Sequence, residues 1–281
     1  MPRRRSFARS ADGGPQYLIS WDAASFRQAA RNLAVRLGKQ AVRKNSGKPP
    51  PQAFEAAWNS LLSNPLYRFL ERFGLDPAFA RPELIRPLLK ARTFELLSQE
   101  IPGFFRSISI VVPAELKLAI DSQTPIIIAQ IHEPHSFLSR VLGEYGREYT
   151  RIVGEPRRAA QRMQAEGIDT SRANLVKKGP LSLAHLLKSV RRNHVICSLL
   201  DDNPLSGSIS PAIFAFANRA KIPVFFVKAY VDNAGVPGLF SSGPYRDVDP
   251  LQCADEFLKF FNSVGDLRVA LKIKTKRDQK S

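Results

Sequence analysis

Apolar positions in the second two thirds of the chain fall into short runs separated by stretches of helical period. The clearest run is PIIIAQI, residues 125–131, bounded by Pro125 and by the polar His132-Glu133-Pro134-His135. A β-branched run this short predicts a buried strand rather than a helix. Similar runs predict strands at 108–112, 148–153, 194–200 and 222–229. Between them, helices are expected at 114–121, 138–145, 157–166 (ended by Gly167), 181–192, 209–220 and 250–261. In the 181–192 helix, Leu183, Leu186, Leu187 and Val190 are expected to form the inward side. Strands alternating with helices at this spacing predict an α/β fold with a mixed, mostly parallel central sheet flanked by helices.

The preceding third has helical period only. Asp22 can cap a helix reaching about residue 43, and KNSGKPPP at 44–51 reads as a linker. Phe54, Ala57, Trp58, Leu61 and Leu62 follow at i, i+3, i+4, i+7, i+8. Asn64-Pro65 restarts the chain into a helix carrying Leu66, Phe69, Leu70 and Phe73 and stopped by Gly74. A third helix is expected from Pro82, carrying Leu84, Ile85, Leu88 and Leu89, with Pro87 bending it. The division expected is a disordered basic arm at 1–16, a helical region at 17–105 and an α/β domain at 106–275. The arm has no apolar stretch after its arginines, so it does not read as a signal peptide.

Charge changes this picture. The 281 residues carry 42 Lys and Arg against 25 Asp and Glu, a net charge of +17. That predicts attraction to an anionic partner: an acidic carrier protein, an anionic membrane surface or nucleic acid. No zinc-ligand spacing or aromatic-basic RNA-binding signature accompanies the charge, which ranks nucleic acid last. Cys197 and Cys253 are distant from each other, and Cys197 sits in an apolar run, which favours a reducing, cytoplasmic compartment. No run approaches the ~18 apolar residues of a membrane span.

Candidate chemistry gathers at two expected strand ends. His132 and His135 follow the 125–131 run, and Asp201 and Asp202 follow the 194–200 run. Ligands of open α/β sheets bind outside the carboxyl ends of the strands. Glu133 adjoins His132, and Glu144 lies further along the next helix. The His132/His135 pair could hold a metal with a carboxylate, but no third ligand is identified, so no metal is assigned. Asp201-Asp202-Asn203-Pro204 is equally compatible with an ordinary turn. His185, on an amphipathic helix, and His194, at a strand start, read as structural.

Three stretches, AELKLAIDSQTPIIIAQIH, LSLAHLLKSVRRNHVICSLLDDN and SISPAIFAFANRAKIPVFFVKAY, resemble in order and spacing the blocks of the lipid A biosynthesis (lauroyl/myristoyl) acyltransferase family. The similarity covers about residues 113–230. It implies the glycerolipid/lipid A acyltransferase-like variant of the α/β fold. It implies transfer of a fatty acyl group from acyl carrier protein or acyl-CoA, as co-substrate and with no cofactor, to a lipid or metabolite hydroxyl. The expected location is cytoplasmic, peripheral at the inner face of a membrane. His132 matches the family's catalytic histidine, and Asp201 its acid after the second strand, with Asp202 close by. Arg172 lies near a family arginine and would contact an anionic group of the substrate, as would His135. The family's His-x4-acid motif is degenerate: the acid position holds Phe137. An orienting carboxylate of this kind is worth ~10⁴ in rate in a serine-protease triad. The implied enzyme therefore needs a substitute, for which Asp201 and Glu133 are the candidates. The alternative is a catalytically degenerate homologue that binds an acyl chain or a partner protein.

Overall fold

The fold is described from a computed structural model, over residues 36–45, 47–66, 68, 94, 97, 104, 107–131, 137–200, 208–232, 236–264 and 272–273. The arm at 1–16 and the expected helices around Phe73 and Pro82 lie outside the described residues.

Residues 36–45 are helical, and α1 (Pro50–Leu62) follows after a turn at 47–48. Two prolines open α1, where their missing N–H groups have no intrahelical acceptor to lose. The KNSGKPPP stretch is thus only partly a linker. Phe54, Ala57, Trp58 and Leu61 are buried, as their spacing predicts.

The remaining elements alternate: α2 (Ala114–Asp121), β1 (Ile126–Gln130), α3 (Phe137–Glu144), β2 (Tyr149–Val153), α4 (Pro156–Ala165), β3 (Ala173–Lys177), α5 (Ser182–Arg191) and β4 (Val195–Leu199). Then come β5 (Ser208–Ile209), α6 (Ala212–Ala220), β6 (Val224–Val231), β7 (Pro237–Tyr245), α7 (Pro250–Ser263) and β8 (Lys272–Ile273). Six strands form one sheet in the order β3-β2-β4-β1-β6-β7; β5 and β8 pair separately. All pairings in the large sheet are parallel except β6 with β7. The protein is α/β, with a mixed, mostly parallel sheet between helical layers and a helical N-terminal region.

The central strand β1 is buried at every position, because helices cover both its faces. Ile126 and Ile128 face a core shared with α2, α3 and the N-terminal helical residues Leu37, Phe54 and Trp58. Ile127, Ala129 and Ile131 face a second core built with α6, β6 and α7. The N-terminal helical residues therefore pack in the same core as one face of the sheet.

Two expectations are corrected. Residues 108–112 form no strand; only Val111 bridges, to Gly238 of the edge strand β7, and it is half exposed. In α5 the inward side is Leu186 and Ser189, while Leu183 and Leu187 face outward. Among the described residues no helix is long and apolar enough to cross a membrane.

Candidate functional site

β1 and β4 are adjacent, parallel and in register, with Gln130 opposite Leu199. Leu200 N donates to Gln130 O at 2.8 Å, so the two strands run out together. Beyond β1 the chain turns to α3, whose Phe137, Leu138, Val141 and Leu142 lie in the first core. Beyond β4 it turns to α6, whose Ile213, Phe214 and Ala217 lie in the second. Neighbouring parallel strands whose connections leave to opposite faces open a crevice at their carboxyl ends, where ligands of such sheets bind.

The segments 132–136 and 201–207 start from these two ends. They carry His132, Glu133, His135, Asp201 and Asp202, and they lie outside the described residues. What is fixed is their shared point of departure. Two polar side chains are buried beside it: Gln130 closes β1 and Ser198 is the penultimate residue of β4. Arg151 on β2 stands in register with Cys197, two residues short of the edge. It lies two residues from buried Tyr149 and so shares that residue's face, toward α3, where its Nη1 donates to Ser139 Oγ at 3.5 Å. Burial pushes the Cys197 thiol up to about 12, against the opposing pull of Arg151. Sequence reasoning passed over Arg151; its signal is a lone cation inside the apolar strand YTRIV.

The structure does not bring Arg172 to this crevice. It directly precedes β3, at the amino edge of the sheet, a strand length or roughly 16 Å from the carboxyl edge. It is exposed, and its Nη1 donates to Gly146 O at 2.9 Å. Glu144 ends α3, far from that helix's start, and accepts from Arg140 Nε at 2.6 Å. Phe137 is buried at the first turn of α3, its ring edge-on to Phe94. His185 is exposed on α5, and Lys188 is exposed one position beyond Leu187.

His194 belongs to a polar chain at the amino edge that is buried except at its acid, Glu148. Its Nε2 lies 2.8 Å from Glu148 Oε2 and its Nδ1 3.3 Å from Thr150 Oγ1, which in turn lies 2.6 Å from Ser189 Oγ. A carboxylate, an imidazole and a hydroxyl in sequence have the order of a catalytic triad, but Thr150 is wholly buried and out of a substrate's reach. The chain ties β2, β4 and α5 together.

A separate cleft of about 310 Å³ lies between α2, α3 and residues 109–112, lined by Ser109, Lys117, Arg140, Glu144 and Tyr145 among others. It borders the far end of α3 and does not include the strand ends of β1 and β4. Among the described residues no three His, Cys, Asp or Glu side chains gather to hold a metal ion. No protein-family model matches the chain, and no curated protein matches it significantly.

Proposed function

We propose that the protein is an acyltransferase acting at the β1/β4 crevice, moving a fatty acyl group from an acyl carrier protein or acyl-CoA thioester to a lipid or metabolite hydroxyl. The observation that carries this reading is the common origin of the His132 and Asp201 segments at neighbouring strand ends. In the reaction, His132 takes the proton of the acceptor hydroxyl as its oxygen attacks the thioester carbonyl carbon. The C–O bond forms, the C–S bond breaks, and the imidazolium returns its proton to the departing thiolate. Asp201 is assigned to orient His132 and to stabilise its charged form, the role that Phe137 cannot fill. Glu133 is the second candidate for that role. His135 and Asp202 are assigned to hold the substrates. Arg151 takes the place of Arg172 as the assigned cation, acting on an anionic group of the donor or the thioester oxygen.

The burial of Phe137 favours a second reading. With its motif acid given over to the core, the chain would bind an acyl chain or a partner and not turn over.

Mass spectrometry of the purified protein with acyl carrier protein thioesters and acyl-CoA, with detergent-dispersed lipid alcohols as acceptors, separates the two readings. Transfer that falls about 10²–10⁴-fold in both His132→Ala and Asp201→Asn supports the enzyme. Transfer lost only in His132→Ala leaves Glu133 as the partner. Acyl binding without transfer across the acceptor set supports the second reading.

A further inference from the structure

We propose that the carboxyl edge of β2 and β3, with the first turns of α5, docks on an anionic lipid bilayer. Leu181, Leu183 and Leu187 are 71%, 55% and 45% exposed. Leu183 and Leu187 stand one turn apart on a shared helix face. The adjacent flank of α5 is already committed, through buried Leu186 and Ser189, to the sheet. The exposed leucines thus form a convex ridge.

Cations surround that ridge at the same edge. Lys177 ends β3 and Lys178 follows it; Lys178 N donates to Val153 O at 2.8 Å, which sets this turn beside the end of β2. Arg157 and Arg158 open α4 from there. Lys188 adjoins Leu187, and all five cations are exposed. Glu155, an acid beside these cations, accepts from Arg157 N as the cap of α4.

A bilayer fits both features at once. Leucines on a convex helix enter below the headgroups, while lysines and arginines reach lipid phosphates with their stems along the interface. A purely anionic surface would satisfy the cations and leave the leucines in water, whereas a bilayer offers phosphates with an apolar layer beneath them. The docked edge is also the edge where β1 and β4 end, so the crevice faces a lipid-borne substrate. The inference holds whether or not the crevice catalyses, since an acyl-binding homologue would dock in the same way.

The test is co-sedimentation of the full chain with phosphatidylglycerol/phosphatidylcholine vesicles and with phosphatidylcholine vesicles alone. Wild type is expected to bind only the anionic vesicles. Leu183→Gln/Leu187→Gln, which keeps every charge, is expected to bind at least about tenfold less tightly with an unchanged melting temperature. Leu118→Gln, more exposed and on the opposite face of the sheet, is the control and should bind like wild type. Lys177→Gln/Arg158→Gln should weaken binding and flatten its salt dependence. Undiminished binding by the leucine double variant would overturn the proposal, because charge elsewhere in the chain would then suffice. So would no binding by wild type, or equal binding to neutral vesicles. If the leucine variant instead lost self-association or acyl carrier protein binding, the ridge would be a protein interface and the proposal would fail.

Discussion

The rings of Phe137 and Phe94 meet edge to face, with centroids 5.2 Å apart and planes at 80°. Phe94 meets Phe104 in the same manner at 5.4 Å, so Phe137 caps an aromatic stack that joins α3 to the helical region. The position that the acyltransferase resemblance reserves for an acid is core in this chain.

Restoring that acid should therefore damage the fold and leave function unrepaired. Phe137→Asp loses an aromatic contact worth about 1 kcal/mol beyond its area. It also creates a cavity and buries an unpaired carboxylate, for a total loss of at least about 3–5 kcal/mol. Urea unfolding should read a lower midpoint. Phe137→Leu, which stays apolar and keeps most of the volume, should cost far less.

Arg147 is 2% exposed and joins the entries to three strands. Its Nη1 donates to Gln123 Oε1 at 2.7 Å, and its Nη2 donates to Thr124 O at 2.7 Å and to Asn193 O at 3.1 Å. Burial lowers its pKa, yet the guanidinium stays charged at any pH the fold survives. Arg147→Met should cost about 3 kcal/mol, and Arg147→Lys should recover little of it, because an ammonium cannot span the same acceptors. Thermal melts of the two variants test this directly.

Stability should fall on the alkaline side. Burial raises Cys197 from 9.0 to about 12, Tyr149 from 10.0 to about 12 and Cys253 from 9.0 to about 11. Each group stays protonated in the fold but ionises sooner in the unfolded chain, so stability is whole below pH 9 and declines from there toward 12. At pH 10 Cys197 alone should account for about 1.4 kcal/mol. Urea midpoints at pH 7.5, 9 and 10 should show the decline, and Cys197→Ala should make it shallower while lowering the midpoint at neutral pH. A midpoint flat across that range would contradict the prediction.

Much of the sheet is legible because its strands are covered on both faces: IIIAQ and VICSL can hardly be anything but buried strands. The edge strand β7 is not. PGLFSSGPY carries prolines, glycines and serines, which an edge tolerates, and a Cβ at Gly238 would fall 2.3 Å from Tyr230 Cζ, so a side chain there would have to displace that ring. The sites followed the same division. The strand ends bearing His132 and Asp201 follow from local pattern. The edge on which Arg172 falls depends on the direction of β3, which only pairing with β2 decides. Nor does spacing reveal which apolar residues of α5 point inward, since Leu183/Leu187 and Leu186/Val190 are both four apart. That reading has a direct check: Leu186→Ala should cost about 2–4 kcal/mol, and Leu183→Ser no more than about 0.5.

Lys228 is the charge hardest to foresee, a lone lysine in the strand VFFVKAYV and 1% exposed. A cation buried this deeply must be held by acceptors. Its Nζ donates to Phe261 O at 2.7 Å and to Val264 O, and sits 4.2 Å from the centre of the Phe261 ring. It thus closes the carboxyl end of α7, where helix carbonyls lack intrahelical donors and the helix dipole favours positive charge. Lys228→Met keeps the apolar stem and removes the ammonium. It should cost about 2–4 kcal/mol, because the carbonyls stay buried and lose their donor. The loss should be local first: amide exchange should rise in residues 260–264 before it rises in β1. If protection there were unchanged while global stability fell, Lys228 would be acting through packing and not as the cap of α7.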